Sequence, residues 1–286
     1  MVQKRTMHGT SGQGRDCSAQ NTAAMVSPRV RGFLFDMDGV LYRGRQPLPG
    51  ARAMLETLTR NHVPFALVTN NSTRTPRQYA CLLAEMGMRV PQARIVTSSM
   101  AVASYLRARL RPGSRILLIG EPPFRRVLER AGFVVTWDDP AAVVVGLDRR
   151  VSYQKLAKAL TALRQGARFV ASNADPVLPT EGGLLPGAGS ILAALRYAAG
   201  RAPVIIGKPK PALLREAMVR AGLRSRETAM VGDQITTDIA AGRAAGLYTI
   251  LVLTGVSAAD GPRPGRLRPD LTVRDLRELG RWYARR

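Results

Sequence analysis

The 286-residue sequence contains few of the residues on which several common kinds of site depend. Its two cysteines, Cys17 and Cys81, form no disulfide framework, so we expect a reducing compartment, the cytoplasm. Its two histidines, His8 and His62, have no partner at metal-ligand spacing. This excludes a clustered zinc site, and it leaves few candidates for the histidine of a Ser-His-Asp mechanism.

Long apolar runs are also missing. No run approaches the 18 consecutive apolar residues of a membrane span, so we expect none. Residues 1–28 have no apolar segment of the secretory kind and are polar, which predicts a disordered extension. Met25, close before the first predicted strand, is an alternative start of the protein.

Acidic residues are scarce: 20 Asp and Glu stand against 43 Lys and Arg, which gives a net charge of +23. Of these cations 38 are arginines, and they are spread along the whole chain. A positive field favours anionic substrates or polyanions. Aromatic residues, at 5%, do not accompany a basic cluster as they do in nucleic-acid modules. We therefore predict a solvated arginine-rich surface and no nucleic-acid partner, with incidental polyanion binding at low salt as the alternative.

Short runs of Val, Ile and Leu alternate with helical patterns along most of the chain. This alternation predicts an α/β fold with parallel sheets that are covered by helices on both faces. Residues 29–111 and 187–286 are expected to form the core, and a second α/β unit at 112–186 is expected to be inserted as a cap.

The stretch FLFDMDGVLY, residues 33–42, ends an apolar run with Asp36 and Asp38, followed by Gly39. An ordinary turn is one interpretation, since Asp and Gly are frequent turn residues. Charge is costly to bury, however, so the other interpretation is that the carboxylates meet a cation. Residues two apart on a strand point the same way, and ligands that are all oxygen suit Mg²⁺.

Two further predicted strands end in polar residues. The stretch LVTNNST places Thr69, Asn70 and Asn71 where a hydroxyl and backbone N–H groups would hold phosphate oxygens; the alternative is an ordinary turn. The stretch IIGKPKP places Lys208 where an ammonium would neutralise phosphate or reduce repulsion between carboxylates. The alternative for Lys208 is a surface loop.

The stretch MVGDQITTDIAAG supplies two more acids, Asp233 after a strand and Asp238 at the opening of a helix. Asp233 would complete a metal site. Asp238 would orient a metal ligand through a hydrogen bond, or it would itself contact the metal ion through a water molecule. The alternative for Asp238 is an acid that the helix dipole favours at a helix N-terminus.

Taken together and in this order, these four stretches resemble the four motifs of the haloacid-dehalogenase-like superfamily, and the resemblance runs from about residue 30 to 257. Three further stretches, VTNNS, SNADPVLPTEGGLLPGAGS and ILVLTGVS, resemble its NagD or para-nitrophenyl phosphatase branch. The resemblance implies a Rossmann-like three-layer core with a large α/β cap between the second and third motifs.

The resemblance also implies the chemistry of a Mg²⁺-dependent phosphatase of small phosphate monoesters. Asp36 would attack phosphorus and form an aspartyl phosphate, and Asp38 would serve as general acid and then base. Mg²⁺ would be held by Asp36, the backbone carbonyl of Asp38, and Asp233. Thr69, Asn70 and Lys208 would clamp the phosphoryl oxygens.

The resemblance leaves the substrate open, because the branch includes phosphoglycolate, pyridoxal phosphate, nucleotide and sugar phosphate phosphatases. It also implies a small phosphorylated metabolite as partner and suggests a homodimer. A phosphomutase is an alternative, which the large cap disfavours. A basic nucleic-acid-binding protein with a retired active site is another, which the intact acidic set disfavours.

The cap is expected to select the substrate. Arg149 and Arg150 would pair with a substrate carboxylate or second phosphate, or else lie on an arginine-covered surface. Asn173 and Asp175 match a cap-return motif, and they either contact substrate or shape the turn.

Overall fold

The computed structural model describes residues 30–180, 182–255 and 267–285. The extension predicted at 1–28 lies outside these residues. In chain order the strands are β1 (Gly32–Asp36), β2 (Tyr42–Arg43), β3 (Gln46–Pro47), β4 (Phe65–Thr69), β5 (Ile95–Thr97), β6 (Arg115–Ile119), β7 (Val134–Val135), β8 (Ala142–Val145), β9 (Arg168–Ala171), β10 (Val177–Thr180), β11 (Gly183–Pro186), β12 (Val204–Ile205), β13 (Thr228–Gly232), β14 (Tyr248–Val252) and β15 (Leu271–Val273).

The helices cover the faces of the sheets. They are α1 (Ala51–Arg60), α2 (Pro76–Glu85), α3 (Ser98–Arg107), α4 (Pro122–Arg130), α5 (Tyr153–Arg164), α6 (Ala188–Ala199), α7 (Ala212–Ala221), α8 (Ala240–Ala244) and α9 (Leu276–Ala284), with a π-helical turn at Ile235–Ile239. Among the residues that the structure describes, no helix is both long enough and apolar enough to cross a bilayer.

The larger sheet has six parallel strands in the order β15-β14-β13-β1-β4-β5. Side chains alternate across β1, so Phe33 and Phe35 join an apolar cluster with α1, α2 and α9, while Leu34 joins another with α3 and α7. Burial of each such side chain stabilises the fold by about 1.5–3 kcal/mol. Because both faces are covered, β1 carries the continuous apolar run that predicted it.

The second sheet has five parallel strands in the order β12-β9-β8-β6-β7. One face packs under α5 and α6, where Val143 and Val145 of β8 meet Leu163 and Leu192. Val144, which points to the opposite face, belongs to the same apolar cluster as Leu34 of the larger sheet. The cap therefore rests on the core through shared apolar packing, and the predicted α/β class with a core and a cap is confirmed.

The cap extends further along the chain than predicted. The boundary was expected at residue 186, with the apolar run before Lys208 as a core strand. Instead β12 pairs with β9 of the cap sheet, and Leu192 of α6 packs in the cap cluster. The run was misassigned because a parallel strand that is buried on both faces has the same continuous apolar sequence in either sheet. The sequence pattern therefore does not show which strand it pairs with.

Candidate active site

The site lies at the carboxyl ends of neighbouring strands of the larger sheet. β1 is hydrogen-bonded between β4 and β13, so the residues that end or follow these strands emerge side by side. Asp36 ends β1, Thr69 ends β4, and Asp233 follows β13. Carboxyl ends of parallel strands are where α/β proteins bind ligands. The strand order therefore brings together residues about 30 to 200 positions apart.

Three carboxylates meet at this edge. Asp36, Asp233 and Asp238 each offer an oxygen, and these oxygens lie within 4.8 Å of one another. All three residues are buried, with Asp233 and Asp238 only 1% exposed. Lys208 Nζ donates hydrogen bonds of 2.6 Å to Asp36 Oδ1 and of 2.6 Å to Asp238 Oδ1. One ammonium against three carboxylates leaves an excess of two formal negative charges in this cluster.

Burial and mutual repulsion set the protonation of the cluster. Burial raises the pKa of Asp36 well above its usual range, and Asp238 and Asp233 raise it further, while Lys208 lowers it. Burial by itself would lower the pKa of Lys208, but Asp238 and Asp36 reverse that effect and raise it. The lysine is therefore a firmly protonated cation, and the carboxylates need further positive charge to remain ionised together.

Two glycines allow the chain to pack this tightly. Gly39 has φ +79°, and a Cβ there would lie 2.6 Å from Asp233 Oδ2. A Cβ at Gly232 would lie 2.1 Å from Asp238 Cβ. Asp238 itself sits in the π-helical turn, where its Oδ2 accepts a 3.1 Å hydrogen bond from the backbone N–H of Gln234. Such turns are rare and occur often at functional sites.

Asp38 stands apart from the three converging carboxylates. A tight turn holds it, in which the Gly39 N–H bonds the Tyr42 carbonyl at 2.9 Å and the Leu41 N–H bonds the Met37 carbonyl at 2.9 Å. Asp38 itself is exposed. Loss of hydration around its carboxyl raises the pKa of Asp38, and Arg43 partly opposes this. A carboxyl that faces solvent and holds its proton more readily is suited to proton transfer.

The segment after β4 is held by its own side chains. Thr69 Oγ1 accepts from the Asn71 N–H at 3.1 Å, and Asn71 Oδ1 accepts from the Thr73 N–H at 2.8 Å. Asn70 Nδ2 donates to the Lys208 carbonyl at 2.9 Å and to Asp175 at 3.1 Å, while Asn70 Oδ1 accepts from the Lys208 N–H at 2.8 Å. Asn70 was predicted to clamp phosphate, but both hydrogens and the oxygen of its side-chain amide have partners inside the protein.

Two of the three predicted substrate-selecting residues of the cap, Arg149 and Asn173, have side-chain partners inside the protein. Arg149 makes a two-pronged ion pair with Glu121, with Nε–Oε1 at 2.5 Å and Nη2–Oε2 at 2.8 Å. The Arg150 carbonyl accepts from Lys155 Nζ at 2.9 Å. Asn173 Nδ2 donates to the Asn70 carbonyl at 2.6 Å. This bond joins the cap-return segment to the segment after β4, and a contact of Asn173 with substrate stays a prediction.

Two features of the site were not predicted from the sequence. Asp238, for which an orienting or water-held role was expected, lies within the carboxylate cluster and accepts a 2.6 Å hydrogen bond from Lys208. Asp175 binds Asn70, and burial raises the pKa of its carboxyl while Asn70 and Lys208 lower it. The sequence predicted that Asp175 shapes the cap-return turn, but it did not identify Asn70 as its partner.

A wide cavity lies away from these residues. It has a volume of ≈ 1060 Å³ and lies between α1 and α9, beside Val30, Arg31 and Arg277. A second cavity of ≈ 50 Å³ lies where core and cap meet, beside Asn71, Ser72 and Asp175. Residues of both core and cap line the smaller cavity, and Asn71, which was predicted to bind phosphate, is among them.

The carboxylate cluster suits a divalent cation. Its donors are all oxygen, they are buried, and they carry excess negative charge. Hard oxygen donors in small number are what Mg²⁺ prefers, and no soft sulfur or imidazole ligand belongs to this group of residues. The residues present therefore fit Mg²⁺.

Comparison with known proteins places the chain in a family. Residues 33–134 match the family described as haloacid dehalogenase-like hydrolase, and residues 205–279 match one described as HAD-hydrolase-like. The two matches include the strands that carry Asp36, Thr69 and Asp233.

Full-length relatives give the same result. The chain is 38% identical over 248 residues to the 5'-nucleotidase YutF of Bacillus subtilis, covering 87% of this chain and 96% of that protein. The structure of NagD from Escherichia coli K-12 matches with a TM-score of 0.81 and 35% identity, covering 87% of this chain and 98% of that one. The glycerol phosphate phosphatase Rv1692 of Mycobacterium tuberculosis, solved in complex with magnesium, matches with a TM-score of 0.81 and 40% identity, covering 88% of this chain and 79% of that one. The chain therefore belongs to the haloacid-dehalogenase-like hydrolases, in the branch that contains NagD.

Proposed function

We propose that this chain is a Mg²⁺-dependent phosphatase that hydrolyses small phosphate monoesters through an aspartyl phosphate on Asp36. The observation that carries the proposal is the meeting of the Asp36, Asp233 and Asp238 carboxylates, two of which, Asp36 and Asp238, pair with the Lys208 ammonium. The relatives named as a 5'-nucleotidase and a glycerol phosphate phosphatase support phosphate monoesters as the substrate class.

In the first half of the reaction, an Asp36 carboxylate oxygen attacks phosphorus while the bond from phosphorus to the leaving alkoxide breaks. Asp38, whose raised pKa favours the protonated form, gives its proton to the leaving oxygen. Lys208 keeps Asp36 in place and favours its ionised form, because its ammonium lies 2.6 Å from Asp36 Oδ1. The alcohol leaves and the phosphoryl group remains on Asp36.

In the second half, water hydrolyses the aspartyl phosphate. Asp38, now ionised, takes a proton from the attacking water, and the bond between phosphorus and the Asp36 oxygen breaks. Asp36 is regenerated as a carboxylate, Asp38 as an acid, and inorganic phosphate is released. Each carboxyl group thus ends in the state in which it began.

Asp36 and Asp233 would hold the magnesium ion, with Asp238 beside them. When bound, the ion would supply positive charge that reduces repulsion between the carboxylate and the phosphate dianion. Both oxygens of Asp238 accept hydrogen bonds, one from Lys208 Nζ and one from the Gln234 N–H, which supports the orienting role expected from the sequence.

The small cavity between core and cap favours compact substrates. The ≈ 50 Å³ cavity between core and cap has Asn71 and Ser72 on the core side and Leu147 and Leu178 on the cap side. Polar groups on one wall and apolar groups on the other suit a short leaving group. We propose small phosphorylated metabolites as the physiological class on this ground.

An Asp36→Asn variant tests the proposal. Because the amide cannot attack phosphorus, we expect kcat for para-nitrophenyl phosphate to fall by about 10⁴-fold or more, as when other catalytic nucleophiles are removed. Asp139→Asn is the matched control, since Asp139 is exposed and has a positive φ that Asn tolerates. If the Asp36→Asn enzyme kept the rate of the Asp139→Asn enzyme, Asp36 would not be the nucleophile.

A further inference from the structure

Asn70 is the point where the catalytic lysine and the cap are joined. Its side-chain amide pairs with the backbone of Lys208 in both directions, since Nδ2 donates to the Lys208 carbonyl at 2.9 Å and Oδ1 accepts from the Lys208 N–H at 2.8 Å. A neighbouring strand would hold a residue through the same two bonds. The main chain of Lys208 is therefore fixed by one core side chain.

This pairing needs a close approach of the two segments. A Cβ at Gly207 would lie 2.5 Å from Asn70 Oδ1 and 2.5 Å from the Ser172 carbonyl oxygen. The Gly207 N–H still bonds the Ser172 carbonyl at 2.8 Å, in continuation of the cap sheet. The chain thus changes partner between residues 207 and 208, from the cap sheet to the side chain of Asn70.

Residues of the cap also fix the position of Asn70. The Asn70 amide lies 3.1 Å and 3.3 Å from the two carboxylate oxygens of Asp175, which follows cap strand β9. The Asp175 carbonyl accepts from the Gly189 N–H at 2.9 Å, at the start of α6. Asn173 Nδ2 also bonds the Asn70 carbonyl at 2.6 Å. One cap side chain, Asp175, therefore orients the Asn70 amide, and a second, Asn173, holds the Asn70 backbone.

From these contacts we infer that Asn70 is a positioning residue, which is oriented by Asp175 and which sets the Lys208 ammonium between Asp36 and Asp238. Both hydrogens of the Asn70 amide have acceptors inside the protein, and its oxygen has a donor. The side chain consequently acts on the reaction through Lys208 and makes no contact with phosphate itself. The kinetic consequence rests on the proposed phosphatase function.

A double-mutant cycle of Asn70→Ala and Lys208→Met tests this inference. We expect Asn70→Ala alone to lower kcat/KM for para-nitrophenyl phosphate by about 10–100-fold, the scale found for residues that orient catalytic groups. In the Lys208→Met background, Asn70→Ala should cost no more than about 2-fold, because the group that it positions is gone. Asn61→Ala, at the exposed end of α1, is the control and should retain the full rate.

The cycle separates this inference from the proposed function. If Lys208→Met left kcat/KM unchanged, the role of Lys208 in the phosphatase site would fail, and the inference with it. If Lys208→Met lowered kcat/KM but Asn70→Ala cost 10-fold or more in both backgrounds, only the positioning role would fail. If the Lys208→Met enzyme is too slow for kcat/KM to be measured, the affinity of each variant for inorganic phosphate in the presence of Mg²⁺ is measured by calorimetry. The same fold-changes then decide between the outcomes.

A second pair of variants tests the link to the cap. Asn70→Asp removes both donated hydrogen bonds and adds a carboxylate beside Asp175, so kcat/KM should fall further than in Asn70→Ala. Adding Asp175→Asn to Asn70→Asp supplies an amide donor to residue 70 and should recover part of the loss, by about 5-fold or more. No recovery in a folded double variant would contradict the proposed orientation of Asn70 by Asp175.

Discussion

Lys208 shows at the scale of one residue how a buried charge can carry both stability and function. Its side chain is 4% exposed and lies between Asp36 and Asp238. Removal of one partner from a buried charge pair leaves the other charges without compensation, which typically costs about 3–5 kcal/mol. The lysine is thus expected to stabilise the acidic cluster even before substrate binds.

A Lys208→Met variant should therefore unfold at lower urea concentration when metal is removed with EDTA, with a loss of about 3–5 kcal/mol in the free energy of unfolding. Added Mg²⁺ should recover part of this loss, because a ligand that binds the folded state stabilises it by mass action. Lys210→Met is the matched control, since Lys210 is exposed two residues further along the chain. Equal urea midpoints for the two variants in EDTA would contradict this account.

Single residues of the site could be predicted from the sequence when a motif placed them at a strand end. Asp36, Thr69 and Asp233 lie at such ends in the larger sheet. Asn70 could not be read in this way, because its bonds to Asp175 and Lys208 join residues 105 and 138 positions away. The sequence shows only that an asparagine follows a strand. The hydrogen-bond partners of that asparagine depend on how the cap packs on the core.

The turn from β13 to α8 shows at the scale of an element how backbone geometry places a carboxylate. The π-helical turn Ile235–Ile239 brings Asp238 back over the end of the strand, and the approach depends on the missing side chain of Gly232. A Cβ there would lie 2.1 Å from the Asp238 Cβ, so the turn would have to move.

We expect Gly232→Ala to lower stability by about 1–3 kcal/mol, the usual cost of overpacking, and to reduce kcat because Asp238 shifts away from Lys208. Gly182→Ala is the control, since a Cβ there meets nothing within 4 Å. Thermal unfolding and turnover of para-nitrophenyl phosphate measure the two effects. A Gly232→Ala enzyme that matched Gly182→Ala in both would show that the turn does not depend on this contact.

The positions of the strands along the chain were predicted more accurately than the pairing between strands. Continuous apolar runs located β1, β4 and β13, because strands that are buried on both faces carry that pattern. The short strand β12 was assigned to the core, whereas it pairs with β9 of the cap. Lys208 still reaches the predicted site, because the chain leaves the cap sheet at Gly207 and meets Asn70 of the core one residue later.

At the scale of the whole molecule, two charge imbalances oppose each other. The chain carries a net charge of +23, while its active-site cluster carries excess negative charge. A positive field attracts anionic substrates, and salt screens it over about 8 Å at physiological ionic strength. The acidic cluster would repel the same substrates unless a cation neutralised it.

The proposed metal requirement follows from the excess negative charge of the cluster. We expect EDTA to remove turnover of para-nitrophenyl phosphate and added Mg²⁺ to restore it, because without the ion the substrate dianion meets three buried carboxylates. The measurement is the initial rate before and after dialysis against EDTA, with Ca²⁺ as a comparison ion of larger radius. Activity that resisted the chelator would contradict the assigned role of the cluster.

The positive field should appear in the salt dependence. From about 0.01 M to about 0.5 M KCl, KM for para-nitrophenyl phosphate should rise severalfold while kcat changes little, because screening weakens attraction before binding. Saturating substrate provides the internal control. A KM that did not change over this range would show that the arginines contribute nothing to substrate capture.

The covalent step is the central claim, and one measurement tests it most directly. Enzyme turning over para-nitrophenyl phosphate with Mg²⁺ is quenched in acid, treated with borohydride and digested, because reduction converts an aspartyl phosphate to homoserine. The account predicts homoserine at position 36 in the peptide seen by mass spectrometry, and none in enzyme quenched without substrate. Homoserine at Asp38, Asp233 or Asp238, or none at all during steady turnover, would contradict it.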